Sequence, residues 1–315
     1  MPELKIGAVL WSQATDWDGF LSAASDADAL GFDSIWTWDH LYAIFGEPDQ
    51  PIVEGYTALA GLALGTQQAE IGLLVGANTF RNPGLVAKSV VTIDHMSQGR
   101  AILGLGGAWF ELEHTAFGID FGSGFGERLD WMDEATAAVR ALLDGASVTS
   151  EGGRYQFQAL KLNPAPLREH LPIMIGGSGE KKTLRTVARY ADQWNAFGSP
   201  ETLTHKDNVL RSHCADVGRN HEDIERTVGA KIVIRDTASE AGRVLEELME
   251  HNQTPMGNIA DDETFWIGTA DQIAEKMLAY RQVGFHTFLV EMPAPYDRET
   301  MNALIEVVKP VVASA

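Results

Sequence analysis

Short apolar runs alternate with longer amphipathic ones along almost the whole chain. The apolar runs are Leu4–Trp11, Ser34–Trp38, Ile71–Gly76, Ala101–Gly106, Pro172–Gly176, Gln193–Phe197, Val228–Ile234 and Thr287–Met292. Each is aliphatic or β-branched with little polar alternation, the pattern of parallel strands buried on both faces. Helical spacing falls near Trp17–Leu30, Val53–Thr66, Gly84–Met96, Glu127–Leu143, Lys181–Tyr190, Thr202–Val217, Ser239–Glu250 and Ala270–Val283, and a last run near Arg298–Val312 closes the chain. Gly31, Gly99 and Gly284 stand just past three of these runs, where a left-handed C-terminal cap favours glycine.

Eight strands alternating with eight helices predict an α/β fold of the (β/α)8 or TIM-barrel type. The competitor is a doubly wound open sheet. It is disfavoured because Leu10-Trp11-Ser12-Gln13 stands where a G-x-G-x-x-G turn would follow the first strand. Two segments break the alternation. Ser147–Leu171 lacks a helical pattern and carries a hairpin-like Glu-Gly-Gly-Arg-Tyr-Gln-Phe-Gln, so it reads as an insertion before the fifth strand. Gly107–Gly126 reads as a long loop rich in Gly and Phe, and long loops in compact domains are usually lids or binding loops. No repeat, low-complexity segment or linker is visible, so residues 1–315 read as a single domain.

The formal net charge is −20, from 24 basic and 44 acidic residues. A nucleic-acid partner is disfavoured, because phosphate-backbone binding wants a basic face, and so is an anionic membrane surface. Cys214 is the only cysteine, which excludes an internal disulfide and a cysteine zinc site and fits a reducing, cytoplasmic setting. It reads as a structural thiol on an amphipathic helix. No signal peptide or 18-residue apolar span is visible. The histidines make no H-x-x-x-H or HExxH spacing, so no metal is expected.

A barrel places its active site at the C-terminal ends of its strands. Those ends hold Trp11, Ser12 and Gln13; Trp38, Asp39 and His40; Gly76, Ala77, Asn78 and Thr79; Gly106, Gly107, Ala108 and Trp109; Gly176 to Glu180; Asn195 and Phe197; and Glu291 and Met292. The set is aromatic, small and acid-poor, as a slot for a planar ring requires. His40 is the strongest candidate for proton transfer, since imidazole titrates near neutrality; its bland alternative is a supporting role bonded to Asp39. Gly176-Gly177-Ser178-Gly179 opens a helix. It suits a phosphate, whose oxygens would meet free N–H groups and the positive end of the helix dipole. It also reads as a plain strand-to-helix turn. A hydrolase elbow is strongly disfavoured, because G-x-S-x-G needs glycine where Glu180 stands.

Several motifs occur in order at barrel spacing: Ala29-Leu-Gly-Phe-Asp-Ser-Ile-Trp-Thr-Trp-Asp-His40, Asn78-Thr-Phe-Arg-Asn-Pro83, Thr92-Ile-Asp-His-Met-Ser-Gln-Gly-Arg100, Leu103-Gly-Leu-Gly-Gly-Ala-Trp-Phe-Glu-Leu-Glu-His114 and Ile175-Gly-Gly-Ser-Gly-Glu180 followed by Ala191-Asp-Gln-Trp-Asn195. Together they resemble the bacterial luciferase superfamily of flavin and deazaflavin oxidoreductases, in its F420-dependent branch. The resemblance implies a barrel with a cofactor at its C-terminal mouth. It implies that Gly176, Gly177, Ser178 and Gly179 cradle the cofactor phosphate. It further implies that Leu74, Val75, Gly76 and Ala77 form a bulge against the ring, often with a non-proline cis peptide, with Gly106 and Gly107 beside it. Asp39 and His40 match an Asp-His pair that approaches the ring, His40 as the catalytic group. Trp11, Trp38, Trp109 and Phe110 would wall the substrate side. Trp109 stands where sugar-phosphate dehydrogenases of the superfamily carry a proton-donating glutamate, which argues against glucose-6-phosphate oxidation. Light emission is likewise unsupported, for want of the reactive cysteine of luciferases.

The resulting expectation is hydride transfer between F420 and a small organic substrate. The alternatives are an FMN-dependent monooxygenase and a non-catalytic binding protein. The added tail of F420 would favour basic rim residues, for which Arg81, Lys181 and Lys182 are candidates, with plain solvation as the bland reading of each. By the same resemblance the protein is a homodimer.

Overall fold

In the computed structural model, which describes residues 3–258 and 262–315, the apolar runs form strands and the amphipathic runs form helices. Their order is β1 (Lys5–Leu10), α1 (Trp17–Leu30), β2 (Ser34–Thr37), α2 (Gly55–Gly65), β3 (Glu70–Leu73), β4 (Gly76–Ala77), α3 (Pro83–Met96), β5 (Ala101–Gly106), α4 (Glu111–Phe117), α5 (Phe125–Leu143), β6 (Val148–Ser150), β7 (Phe157–Leu160), β8 (Ile173–Gly176), α6 (Thr183–Tyr190), β9 (Gln193–Ala196), α7 (Pro200–Val217), β10 (Glu225–Ile234), α8 (Ala238–His251), β11 (Phe265–Gly268), α9 (Ala270–Gln282), β12 (Thr287–Met292), α10 (Arg298–Ala303) and α11 (Lys309–Ser314). Local chemistry sets the ends. Asp16 caps α1 through the Gly19 N–H, Asn82 and Pro83 open α3, and Thr269 and Gln272 form a reciprocal capping box on α9. Gly31, Gly99 and Gly284 take the left-handed conformation expected of them, with φ of 89°, 89° and 93°.

Strands β1, β2, β3, β5, β8, β9, β10 and β12 pair in parallel in that order. β12 returns to β1 through Lys5↔Thr287 to Leu10↔Met292 and closes the sheet. This is the expected barrel. Successive side chains alternate between its two surfaces. Val9, Trp36, Ile102, Met174, Val233 and Leu289 pack together inside it. Their neighbours Ala8, Ile35, Leu103, Ile173, Ile232 and Val290 pack under the helical shell. On the same parity Trp11, Trp38, Lys231 and Glu291 point inward at the upper end.

The structure departs from the sequence reading in three places. The run Ile71–Gly76 is not one strand: a cis peptide between Leu74 and Val75 separates β3 from β4, and β4 pairs with the top of β5 through Gly76↔Leu105 and Ala77↔Gly106. The Gly107–Gly126 loop contains a helix, α4. A further strand, β11, pairs with the upper half of β10 from Lys231↔Phe265 to Ile234↔Gly268. The Ser147–Leu171 insertion does form the hairpin β6–β7. It docks through Tyr155, whose hydroxyl accepts from Asn78 Nδ2 at 3.1 Å, while Glu134 accepts the Tyr155 N–H at 2.9 Å.

Candidate active site at the barrel mouth

A cavity of about 450 Å³ opens at the C-terminal ends of the barrel strands. Leu74, Val75, Gly76, Ala77, Gly106, Gly107, Gly176 and Gly177 line the half built on β3, β4, β5 and β8. Trp38, His40, Phe45, Lys231 and Glu291 line the half built on β2, β10 and β12 and the loop after β2.

The first half is made of backbone. A Cβ on Gly106 would lie 2.6 Å from Val75 Cγ2, and one on Gly176 would lie 2.8 Å from the same atom. Both glycines therefore make room for Val75, which the bulge turns toward the cavity. The turn after β8 is pinned at Gly177, where φ is +116°. Its N–H donates to the Asn195 carbonyl at 3.0 Å, and its carbonyl accepts from Trp194 Nε1 at 2.8 Å. The N–H groups of Ser178, Gly179 and Glu180 have no hydrogen-bond partner among the described residues. α6 begins without a side-chain cap. Ser178 and Gly179 stand beyond the cavity wall, so they suit a phosphate arm at the rim rather than a ring inside. Flat backbone walls with open amides beside them fit a tricyclic ring carrying a phosphate.

Asp39 serves this half from beneath. Its buried carboxylate accepts the Ala77 N–H at 2.8 Å and two bonds from Arg81, at 2.7 and 2.9 Å. Burial pushes the Asp39 carboxyl above its ordinary pKa, while Arg81 and the Ala77 N–H pull it back down. Burial also opposes the Arg81 charge, but Asp39 and Glu54 outweigh it and raise the guanidinium. Arg81 bonds Glu54 as well and lies over the Tyr56 ring, 4.8 Å from its centroid. Asp39 is thus an anchor for the bulge, and Arg81 is a half-buried cation held by carboxylates on both sides. Lys182 is tied to Asp130 and the Gly126 carbonyl, and Lys181 is exposed.

His40 faces the other way. Its Nδ1 lies 3.0 and 3.2 Å from the two carboxylate oxygens of Glu113, on α4. Glu113 also accepts the Leu41 N–H at 2.8 Å and is 1 % exposed. His40 is thus bonded to Glu113 and not to Asp39. Nδ1 is the donor to this carboxylate, so Nε2 is left for the cavity. The next residue, His114, holds α4 in place: Nδ1 donates to the Phe110 carbonyl at 2.8 Å and Nε2 accepts from Thr79 Oγ1 at 2.7 Å.

The aromatic wall has other members than expected, with Phe45, Phe125 and Phe197 in it. Trp38 and Trp109 line the cavity, but Trp11 and Phe110 do not. Trp11 is fully buried behind the wall, stacked on Phe45 at 4.3 Å, and Phe110 packs against Trp109 at 5.2 Å. Gln13 positions Phe45, accepting the Ile44 and Phe45 N–H groups and donating to the Phe45 carbonyl. Nor is the mouth acid-poor: Glu113 and Glu291 both line it, and Lys231 joins them. The sequence carried one overlooked signal, a lysine inside the apolar run Val228–Ile234. A charge in a strand buried on both faces calls for a partner or a ligand. Among the described residues no group of three His, Cys, Asp or Glu side chains forms a metal site, and no helix is long and apolar enough to cross a membrane.

The luciferase-like monooxygenase profile matches residues 6–287. The chain belongs to this family. Among its relatives is an F420-dependent glucose-6-phosphate dehydrogenase of Microbacterium testaceum, 27% identical over 296 residues, covering 87% of this chain and 86% of the relative. Another is an FMNH2-dependent dimethylsulfone monooxygenase of Pseudomonas fluorescens, 26% identical over 306 residues, covering 86% and 82%. The family fold matches an F420-dependent secondary alcohol dehydrogenase in complex with an F420–acetone adduct, with a TM-score of 0.83 at 19% identity over 99% of both chains. A set of uncharacterized mycobacterial relatives, 28% identical over 168 residues, is covered over 58% of its length.

Proposed function

We propose that this family member is an F420-dependent oxidoreductase that moves a hydride between the deazaflavin and a small organic substrate. The observation that carries the reading is the pairing of a half-buried His40 with a buried Glu113, both lining the same cavity as the glycine and bulge wall. The deazaflavin, when bound, supplies a two-electron hydride carrier. The protein does the rest. Val75, Gly106 and Gly176 shape the flat wall, and the turn at Gly177–Gly179 offers amides to the phosphate. Hydride loss from a carbinol carbon requires the hydroxyl proton to leave with it. His40 Nε2 takes that proton, and returns it in the reverse direction, while Glu113 fixes the ring and stabilises the imidazolium. Trp38 and Trp109 keep water off the reacting face.

The same wall also fits FMN, and the Pseudomonas fluorescens relative favours that second reading. Titration of the purified protein with F420 and with FMN, read by absorbance and fluorescence, separates them. Binding of F420 at least tenfold tighter than FMN is the expected result. Tighter FMN binding overturns the assignment.

A further inference from the structure

Lys231 and Glu291 sit next to each other at the inward-facing top of β10 and β12, on neighbouring barrel strands. Both are buried, at 7% and 5% exposure, and both line the cavity. Lys231 Nζ donates to Thr264 Oγ1 at 3.2 Å. Its distance to Glu291 Oε1 is 3.8 Å, too long for a hydrogen bond. An ammonium carries three donors, so two remain unused among the described residues. The other flank is aromatic: the Phe265, Phe197 and Phe45 rings lie 4.9, 5.7 and 5.8 Å from Nζ. Glu291 is half used in the same way. Its Oε2 accepts from Trp11 Nε1 at 2.9 Å, and Oε1 has no hydrogen-bond partner among the described residues.

We infer that this pair is a seat for a neutral hydroxyl group on an apolar or aromatic substrate. The inference rests on the reading that the cavity takes a small organic substrate beside the cofactor. A single hydroxyl oxygen can accept from Nζ and donate to Oε1, bridging a gap that the two side chains do not close by themselves. A carboxylate would satisfy Lys231 but set a second negative charge beside Glu291. An amine would do the converse to Lys231. A purely apolar group would leave both charges unbridged in a buried site. The Phe45 and Phe197 rings, which line the cavity, take the body of the guest. His40 lies at the far end of the wall, beyond Phe45 and Trp38, whose ring centroids are 6.0 Å apart. The hydroxyl seat therefore orients the substrate, and the reacting carbon lies toward His40.

Ligand-observed NMR titration of phenol, anisole and benzoate tests this, on the protein as purified and with its cofactor at saturation. Phenol should bind at least tenfold more tightly than either competitor. Lys231→Met should abolish the advantage of phenol over anisole. Glu291→Gln keeps the acceptor for Trp11 but removes the negative charge, and it should raise benzoate at least tenfold relative to phenol, whether or not the lysine variant folds. Benzoate binding more tightly than phenol to the unsubstituted protein overturns the inference, as does a benzoate-to-phenol ratio that Glu291→Gln leaves unchanged. Cofactor binding is read separately from its own absorbance. Phenol ranked first with no cofactor bound sinks the oxidoreductase reading alone, and cofactor binding with benzoate ranked first sinks the hydroxyl seat alone.

Discussion

The two halves of the barrel mouth are built from different materials. On β3, β4, β5 and β8 the wall is backbone, with Val75 wedged between glycines and side-chain chemistry kept underneath, at Asp39 and Arg81. On β2, β10 and β12 it is side chain: a pinned imidazole, an indole, an ammonium and two carboxylates. Asp39 and His40 show the division over a single peptide bond. Alternation sends the first into the wall to hold the bulge and the second toward the cavity, where Glu113 pins it. A backbone wall accepts any ligand of the right thickness and suits a cofactor shared by many relatives. A wall of individual side chains is where one family member differs from the next.

Substitutions should divide along the same line, and the largest effect should come from the side-chain half. His40→Ala should lower kcat by roughly 10²- to 10⁴-fold, the usual worth of a positioned acid–base group, with the cofactor dissociation constant unchanged. A loss of cofactor affinity instead would move His40 to the other half. Asp39→Ala leaves the half-buried Arg81 without its main carboxylate and the Ala77 N–H without an acceptor. It should cost about 3 kcal/mol in urea unfolding. A cost under about 1 kcal/mol would mean that Arg81 is held well enough by Glu54 alone. Gly176→Val forces branched atoms into the space of Val75 and should weaken cofactor binding about thirtyfold, for overpacking worth about 2 kcal/mol. Turnover at saturating cofactor should hardly change.

Glu113→Gln should lower kcat about tenfold and move the pH profile of kcat, since the carboxylate no longer stabilises the imidazolium. An unmoved profile would reduce Glu113 to packing. The smallest effect should fall at the entrance to the backbone half, where Asp28 accepts the N–H groups of Gln67, Gln68 and Ala69 just before β3. Burial alone would raise this carboxyl, but the three amides and the Arg100 charge together hold it below its ordinary pKa. A lowered folded-state pKa adds stability that is present above the ordinary carboxylate range and is lost as pH falls through the folded value. Asp28→Asn should therefore be about 1 kcal/mol less stable at neutral pH, and the difference should fade on acidification. A difference constant with pH would show that the charge of Asp28 is immaterial.

The backbone half was the more legible in sequence. Its glycines and its Asn78–Pro83 motif announce themselves locally, because a turn or a missing Cβ acts on its own neighbours, whereas the break after β3 was hidden in one apolar run and came only with the family resemblance. Even so, Gly176 reads in isolation as ligand clearance, and only packing shows that its space belongs to Val75. The side-chain half was read through single residues, and their pairings escaped. Trp11 looked like wall and is foundation. Glu113 lay inside a segment taken for loop, since seven residues of α4 are too few to show a period.

The sequence alone determined the alternation of buried strands and amphipathic helices, hence the barrel, and it placed His40 and the glycine turn at the ends of strands. Periodicity and turn chemistry are short-range, so they can be read in one dimension. Only the tertiary structure decided which group each of those residues meets. The carboxylate of His40 comes from 73 positions away, and Lys231 meets Glu291 only because β10 and β12 are neighbours in a closed barrel. The first meeting depends on the path of the loop after β5, which carries α4 over the end of β2, and the second on the pairing of β10 with β12 at shared inward parity, and neither is encoded in any local run.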